Sequence, residues 1–157
     1  MLSLLPTWPF ILFGIIEPLS MVGGFLAPLL DTDNFIAGQT PPTNPPPLPH
    51  HASTLVLSYQ IANIYGLVGL LAVGVIYGSS ERHVVRNLIL SLAVADIGHM
   101  YAMYAVIGLE AFLDVASWSP VAWGSIGFTG FLFVNRVAYL LGAFGSEAAT
   151  TNEKKRN

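Results

Sequence analysis

Four long apolar stretches fill most of this 157-residue chain, and each carries polar side chains that a hydrocarbon environment rejects. They cover about residues 9–30, 54–77, 84–109 and 121–145. The first holds Glu17, the second Gln60 and Asn63, the third Asp96 and His99, and the fourth Asn135 and Arg136. About 20 helical residues cross the roughly 30 Å hydrocarbon core of a bilayer, so each stretch is long enough to span. An ionisable group at that depth costs about 3 kcal/mol or more unless it is paired or faces water. These side chains are therefore expected to converge on a shared polar interior.

Composition supports lipid as the solvent. Only 10% of the residues are charged and 54% are hydrophobic, whereas soluble domains average about 25% charged residues. A small soluble fold has a large surface that must be covered with charge, and this chain lacks it. The net charge of −3 and the absence of a basic stripe argue against nucleic acid as a partner. The chain has no cysteine, which excludes disulfides, thiolate catalysis, iron–sulfur clusters and a self-supplied haem thiolate. Its four histidines, with His50 and His51 adjacent, have no zinc-ligand spacing, so no metal site is expected.

The connections set the topology. Residues 31–53 form a proline-rich stretch, including Pro41, Pro42, Pro45, Pro46, Pro47 and Pro49, and read as an extended loop. A short turn at residues 78–83 joins the second and third stretches, and residues 146–157 form a polar tail. The start of the chain has no Lys or Arg and no clean small-x-small cleavage site, so the first stretch does not read as a signal peptide. Arg82 and Arg86 flank the short turn, and Lys154, Lys155 and Arg156 lie in the tail. Four spans bring these groups and the N-terminus to one side, which the positive-inside rule makes cytosolic. The expected fold is a single all-α domain, an integral membrane four-helix bundle with cytosolic termini and a lumenal proline-rich loop. Lys154-Lys155-Arg156-Asn157 resembles a dilysine retrieval signal, which implies the endoplasmic reticulum membrane; the other reading is a basic anchor at the lipid headgroups.

Within the stretches, Pro18 predicts a kink just after Glu17. Gly23 and Gly24 allow another helix to approach closely, as do Gly66, Gly69 and Gly74. Glycine surfaces such as Gly66 and Gly69 also suggest association with another membrane protein.

Glu17 lies about 12 Å into the first span at about 1.5 Å per residue, and Asp96 and Arg136 lie at similar depths. A Glu17–Arg136 or Asp96–Arg136 pair would lock the bundle, which is how most intramembrane charges persist. The chemical alternative is a neutral carboxylic acid that protonates an alkene, epoxide or carbonyl. Asp96 and His99 are three residues apart and share a helix face. That spacing suits a carboxylate orienting a general base, or only a local partner for a buried imidazole. Glu17, Asp96 and His99 are the candidate catalytic residues. Gln60 and Asn63 share a face by the same spacing; bridging of neighbouring helices is the favoured role, with a ligand carbonyl or hydroxyl as the alternative. Asn135 carries the same ambiguity. Trp8, Trp118 and Trp123 read as interfacial belt residues, although a tryptophan at a pocket mouth can stabilise a cationic intermediate. The candidate substrate-binding set is Gln60, Asn63, Tyr101, Trp123, Asn135 and Arg136.

Several motifs bear a family likeness. They are Ile16-Glu17-Pro18, Tyr59-Gln60-Ile61-Ala62-Asn63-Ile64-Tyr65, Ala95-Asp96-Ile97-Gly98-His99-Met100-Tyr101, Trp123-Gly124 and Asn135-Arg136. In order and spacing the chain resembles small fungal four-span membrane proteins encoded in polyketide and meroterpenoid gene clusters. Some members of that group look like epoxide-handling proteins. Others assist a membrane-anchored haem monooxygenase that builds strained polycyclic products. The resemblance implies an auxiliary subunit that docks onto such an oxidase and helps pose an apolar small-molecule substrate during oxidative cyclisation. It implies no cofactor of its own; haem belongs to the partner. The alternative is a self-sufficient isomerase, cyclase or epoxide-opening enzyme using Glu17, Asp96 and His99. Transport is disfavoured by the absence of an internal repeat.

Overall fold

The computed structural model describes residues 4–42 and 45–145. The basic segment Lys154-Lys155-Arg156-Asn157 lies outside the described residues. The described residues form helices joined by loops, with no strand among them. The helices are α1 (Thr7–Leu30), α2 (Thr32–Ala37), α3 (Ala52–Gly78), α4 (Arg82–Leu113) and α5 (residues 120–140). By length and composition, α1, α3 and α4 are apolar enough to cross a membrane. α5 is diluted by glycines and by Asn135 and Arg136. Large apolar side chains such as Leu19, Leu70 and Val106 stand on the outer faces, far more than the surface of an ordinary soluble monomer carries.

Proline chemistry shapes α1. Pro18 has no N–H, so the carbonyl of Gly14, four residues earlier, loses its helical donor. The helix widens into a π turn at Leu12–Ile16, immediately before Glu17. The hydroxyl of Tyr77 on α3 donates to the freed Gly14 carbonyl at 2.9 Å. The irregularity thus precedes Glu17 and is held by a neighbouring helix, whereas proline alone predicts a kink just after it. Tyr77→Phe should lower stability by about 1–2 kcal/mol, because the carbonyl is left without a donor. Thermal unfolding in detergent, followed by helical circular dichroism, checks this; an unchanged transition would contradict it.

α1 and α3 run antiparallel in close contact. A Cβ built at Gly66 would lie 3.1 Å from Phe25, and one at Gly69 3.1 Å from Met21. These two glycines therefore seat side chains of α1. The expectation that they present a surface to another protein is corrected: their close approach is used within the chain.

The proline-rich stretch is not extended throughout. Its first part forms α2, which Asp31 caps by accepting from the Asn34 N–H at 3.2 Å. Phe35 and Ile36 turn inward. The Ser119 hydroxyl donates to the Gly38 carbonyl at 2.7 Å and accepts from the Ala122 N–H at 3.0 Å. One side chain thus caps α5 and ties α2 to it. α4 breaks at Gly108 (φ 80°, ψ 168°), a conformation open essentially to glycine alone, close to where the third apolar stretch was expected to end.

α4 and α5 also run antiparallel, with Asp96 facing Arg136 and Met100 beside Gly130. The densest apolar core lies where α1 and α4 begin and α3 and α5 end. Leu5, Leu12, Phe13, Ile76, Val85, Ile89 and Leu132 meet there. The polar residues of interest lie one to a few turns away from this plug.

Candidate functional site: a buried charge cluster

The centre of the bundle holds Arg136, one of its largest fully buried side chains. Its Nη1 donates to Asp96 Oδ2 and its Nη2 to Glu17 Oε1. Sequence depth allowed either pair; the structure forms both at once, joining α1, α4 and α5 through one guanidinium. Only arginine offers a planar fork that engages two carboxylates in this way. The side chains of Glu17 and Arg136 are each 1% exposed and that of Asp96 is 12% exposed. The Arg136 guanidinium also stands 5.7 Å from the centre of the Phe13 ring, within cation–π range.

The cluster is not fully satisfied. Glu17 Oε2 and Arg136 Nε are buried without a hydrogen-bond partner, as is His99 Nε2. Buried polar atoms normally have partners, so each exception needs an explanation. His99, one turn beyond Asp96, faces the Ser125 backbone, and the Ser125 side chain faces Tyr65 from α3. Ser125 sits in a second π turn, Trp123–Phe128, and is buried. π turns recur at functional sites because the extra residue re-aims the side chains around it. Glu17, Arg136 and Asp96 are thus hydrogen-bonded together, and His99, Ser125 and Tyr65 lie beyond them, so polar groups from all four long helices gather in the interior.

Of the sequence candidates, Glu17, Asp96, Arg136 and His99 are brought together. Asn135 lies on the outer side of α5 relative to the cluster: its Oδ1 accepts from the Trp8 indole N–H at 2.9 Å, and its Nδ2 donates to the Phe131 carbonyl at 2.9 Å. Trp8 thus joins α1 to α5 rather than serving only as an interfacial belt residue. Tyr101 is exposed on α4, its ring 6.4 Å from that of Tyr104. Trp123 is exposed and meets Trp118 edge to face at 5.1 Å. Gln60 and Asn63 stand on the outside of α3, and neither bonds another side chain among the described residues.

Sequence reasoning missed Ser125, Tyr65 and Phe13. A serine between Gly124 and Gly127 in an otherwise apolar run was the available signal for Ser125. Tyr65 closed the Tyr59–Tyr65 motif without a role assigned to it, and Phe13 gave no signal beyond its aromatic character.

The charge cluster is closed to solvent, with Glu17 and Arg136 each 1% exposed. A groove of about 490 Å³ opens instead on the outer surface between α1 and α3, bounded by Pro18, Met21, Val22, Phe25, Asn63 and Leu70 among others. Among the described residues, no three of the His, Asp and Glu side chains gather as metal ligands would.

The fold and the site define an all-helical protein with three helices able to cross a membrane, cross-linked inside by one guanidinium between two carboxylates. The chain belongs to the family described as a domain of unknown function, DUF7704, which matches residues 2–146. No curated protein and no solved structure matches it.

Proposed function

We propose that this protein is a four-span membrane protein of the endoplasmic reticulum, with both termini cytosolic. In this reading it is an auxiliary subunit that assists a membrane-anchored haem monooxygenase in the oxidative cyclisation of an apolar polyketide-type substrate. The single observation that carries the reading is the closure of the charge cluster. Arg136 engages both carboxylates, and Glu17 and Arg136 are sealed from solvent, so the acids are tied to the bundle as structural partners. Concave space opens toward lipid instead. Arg82 and Arg86, at the α3–α4 turn, support the orientation. The likeness of the Glu17, Asp96–His99 and Asn135–Arg136 motifs to fungal pathway proteins supports the choice of partner.

A second reading draws on a different observation. Glu17 Oε2 and His99 Nε2 are buried and lack partners, which suits an acid and a base awaiting a substrate. This would be a self-sufficient isomerase, cyclase or epoxide-opening enzyme.

Co-expression of the tagged protein with a candidate membrane-anchored haem monooxygenase separates the two. The subunit reading expects co-purification in mild detergent and product only when both proteins are present. Conversion of a pathway intermediate by the purified protein alone, lost in Glu17→Gln, Asp96→Asn or His99→Ala, would replace it with the enzyme reading.

A further inference from the structure

The groove between α1 and α3 has the dimensions of a ligand site. Small-molecule sites measure roughly 300–1,000 Å³ and combine apolar walls with a few placed polar groups; this one measures about 490 Å³. Its walls are Met21, Val22 and Phe25 from α1, with Leu67, Leu70 and Val73 from α3. The seating of Phe25 on Gly66 and of Met21 on Gly69 draws the two helices together at its base.

Two polar side chains line the groove, Tyr65 and Asn63; the polar end of Tyr65 lies toward Ser125. Asn63 is exposed and makes no side-chain hydrogen bond among the described residues. It lies two residues before the midpoint of the 27-residue helix α3, about 16 Å from its start. In a membrane-spanning α3 that depth is hydrocarbon, where an amide without a partner is costly. An acyl chain cannot relieve that cost, because it has neither donor nor acceptor. The occupant must bring a hydrogen-bonding group to Asn63 and an apolar body to the rest of the groove.

We infer that the α1–α3 groove binds a lipid-soluble small molecule bearing a carbonyl or hydroxyl group, which hydrogen-bonds to Asn63 while its apolar body packs against Met21, Val22, Phe25 and Leu70. This inference rests on the membrane placement proposed above and deepens that reading by giving the apolar substrate a place on this subunit. A carbonyl accepts from the Asn63 Nδ2; a hydroxyl donates to its Oδ1.

Benzophenone is a suitable probe, because it is apolar, carries one carbonyl and cross-links on irradiation. The full chain is reconstituted in phosphatidylcholine vesicles without any oxidase, labelled, and mapped by peptide mass spectrometry. Labelling is expected at Met21, Val22 or Leu70. In Asn63→Leu it should need about tenfold more probe, the loss of one hydrogen bond in a dry site. A hydrocarbon diazirine, which has no polar group, should label both forms equally. Val22→Trp, which fills the groove, should block benzophenone even if Asn63→Leu folds poorly. Equal benzophenone labelling of wild type and Asn63→Leu, or labelling spread over the lipid-facing surface, overturns the inference. So does efficient self-cross-linking of Asn63→Cys, readable because the chain has no other cysteine, since it would assign this face to a second copy. With no oxidase in the assay, failure to label counts against the groove alone, and failure to co-purify counts against the subunit reading alone.

Discussion

Arg136→Leu should prevent accumulation of folded protein. Removing one partner of a buried ion pair costs about 3–5 kcal/mol, because the remaining charge stays buried and uncompensated. Here the loss strands two carboxylates, Glu17 and Asp96, on separate helices. Two like charges would then face each other across the space the guanidinium occupied. Total stability is only about 5–15 kcal/mol for a typical domain, so the variant should be degraded or aggregate. Arg86→Leu, at an exposed site near the start of α4, should leave the fold near wild type. Arg136→Lys should rescue only in part, since a single ammonium lacks the fork that reaches both acids. Exchanging all three residues for apolar ones of similar size, Glu17→Leu, Asp96→Leu and Arg136→Met, should restore folding, because a buried ion cluster is often matched or exceeded by apolar packing. Size-exclusion profiles of fluorescently tagged variants in detergent measure this. A monodisperse Arg136→Leu peak at wild-type yield would show that the cluster does not hold the bundle together.

The same series bears on function. If the triple apolar variant folds and still supports product formation with a co-expressed haem monooxygenase, the cluster is architectural and the auxiliary reading gains. If it folds and the protein's own chemistry is lost, the acids act on substrate. Stability and activity are read on the same samples, so the two roles separate.

The sequence made the long apolar helices legible because lipid favours apolar runs that little else produces, and three of these helices are long and apolar enough to cross a membrane. Depth alone brought Glu17, Asp96 and Arg136 to one level. It could not say that a single guanidinium bridges both acids, because helix rotation is set by packing, and packing depends on the small residues between neighbours. Gly66 and Gly69 illustrate the limit. A glycine on a membrane helix marks a close approach without saying to what, and only the positions of Phe25 and Met21 show that the approach is internal. The two π turns were likewise invisible. Pro18 announces a missing donor, but not that the helix widens at Leu12–Ile16 or that Tyr77 from α3 satisfies the freed carbonyl. Ser125 enters the polar interior through a π turn that carries no sequence signature of its own. α2 was hidden because the prolines that follow it dominate the composition of its stretch.

Adjacent glycines in α1 offer the sharpest test of this packing. Gly24→Ala should destabilise the protein by about 1–3 kcal/mol, the usual cost of forcing extra volume into a packed contact. The new Cβ would lie 2.9 Å from Cγ of Tyr65 and 3.0 Å from two further ring carbons, closer than carbon atoms tolerate. The half-buried ring packs against α1 at this point, so relief of the clash requires the ring itself to shift. Gly23→Ala, one residue earlier, should do the opposite. Its Cβ meets nothing within 4 Å, so alanine adds helix propensity of about 0.5–1 kcal/mol without a clash. Backbone propensity predicts the same stabilising effect at both positions, so a difference in sign isolates the contact with Tyr65. Tyr65→Leu should remove most of the Gly24→Ala penalty, giving a coupling energy in a double-mutant cycle. Thermal unfolding of the three single variants and the Gly24→Ala/Tyr65→Leu double variant in one detergent provides the numbers. Equal effects at Gly23 and Gly24 would mean that α1 is rotated relative to α3, which would move Glu17 away from Arg136 as well.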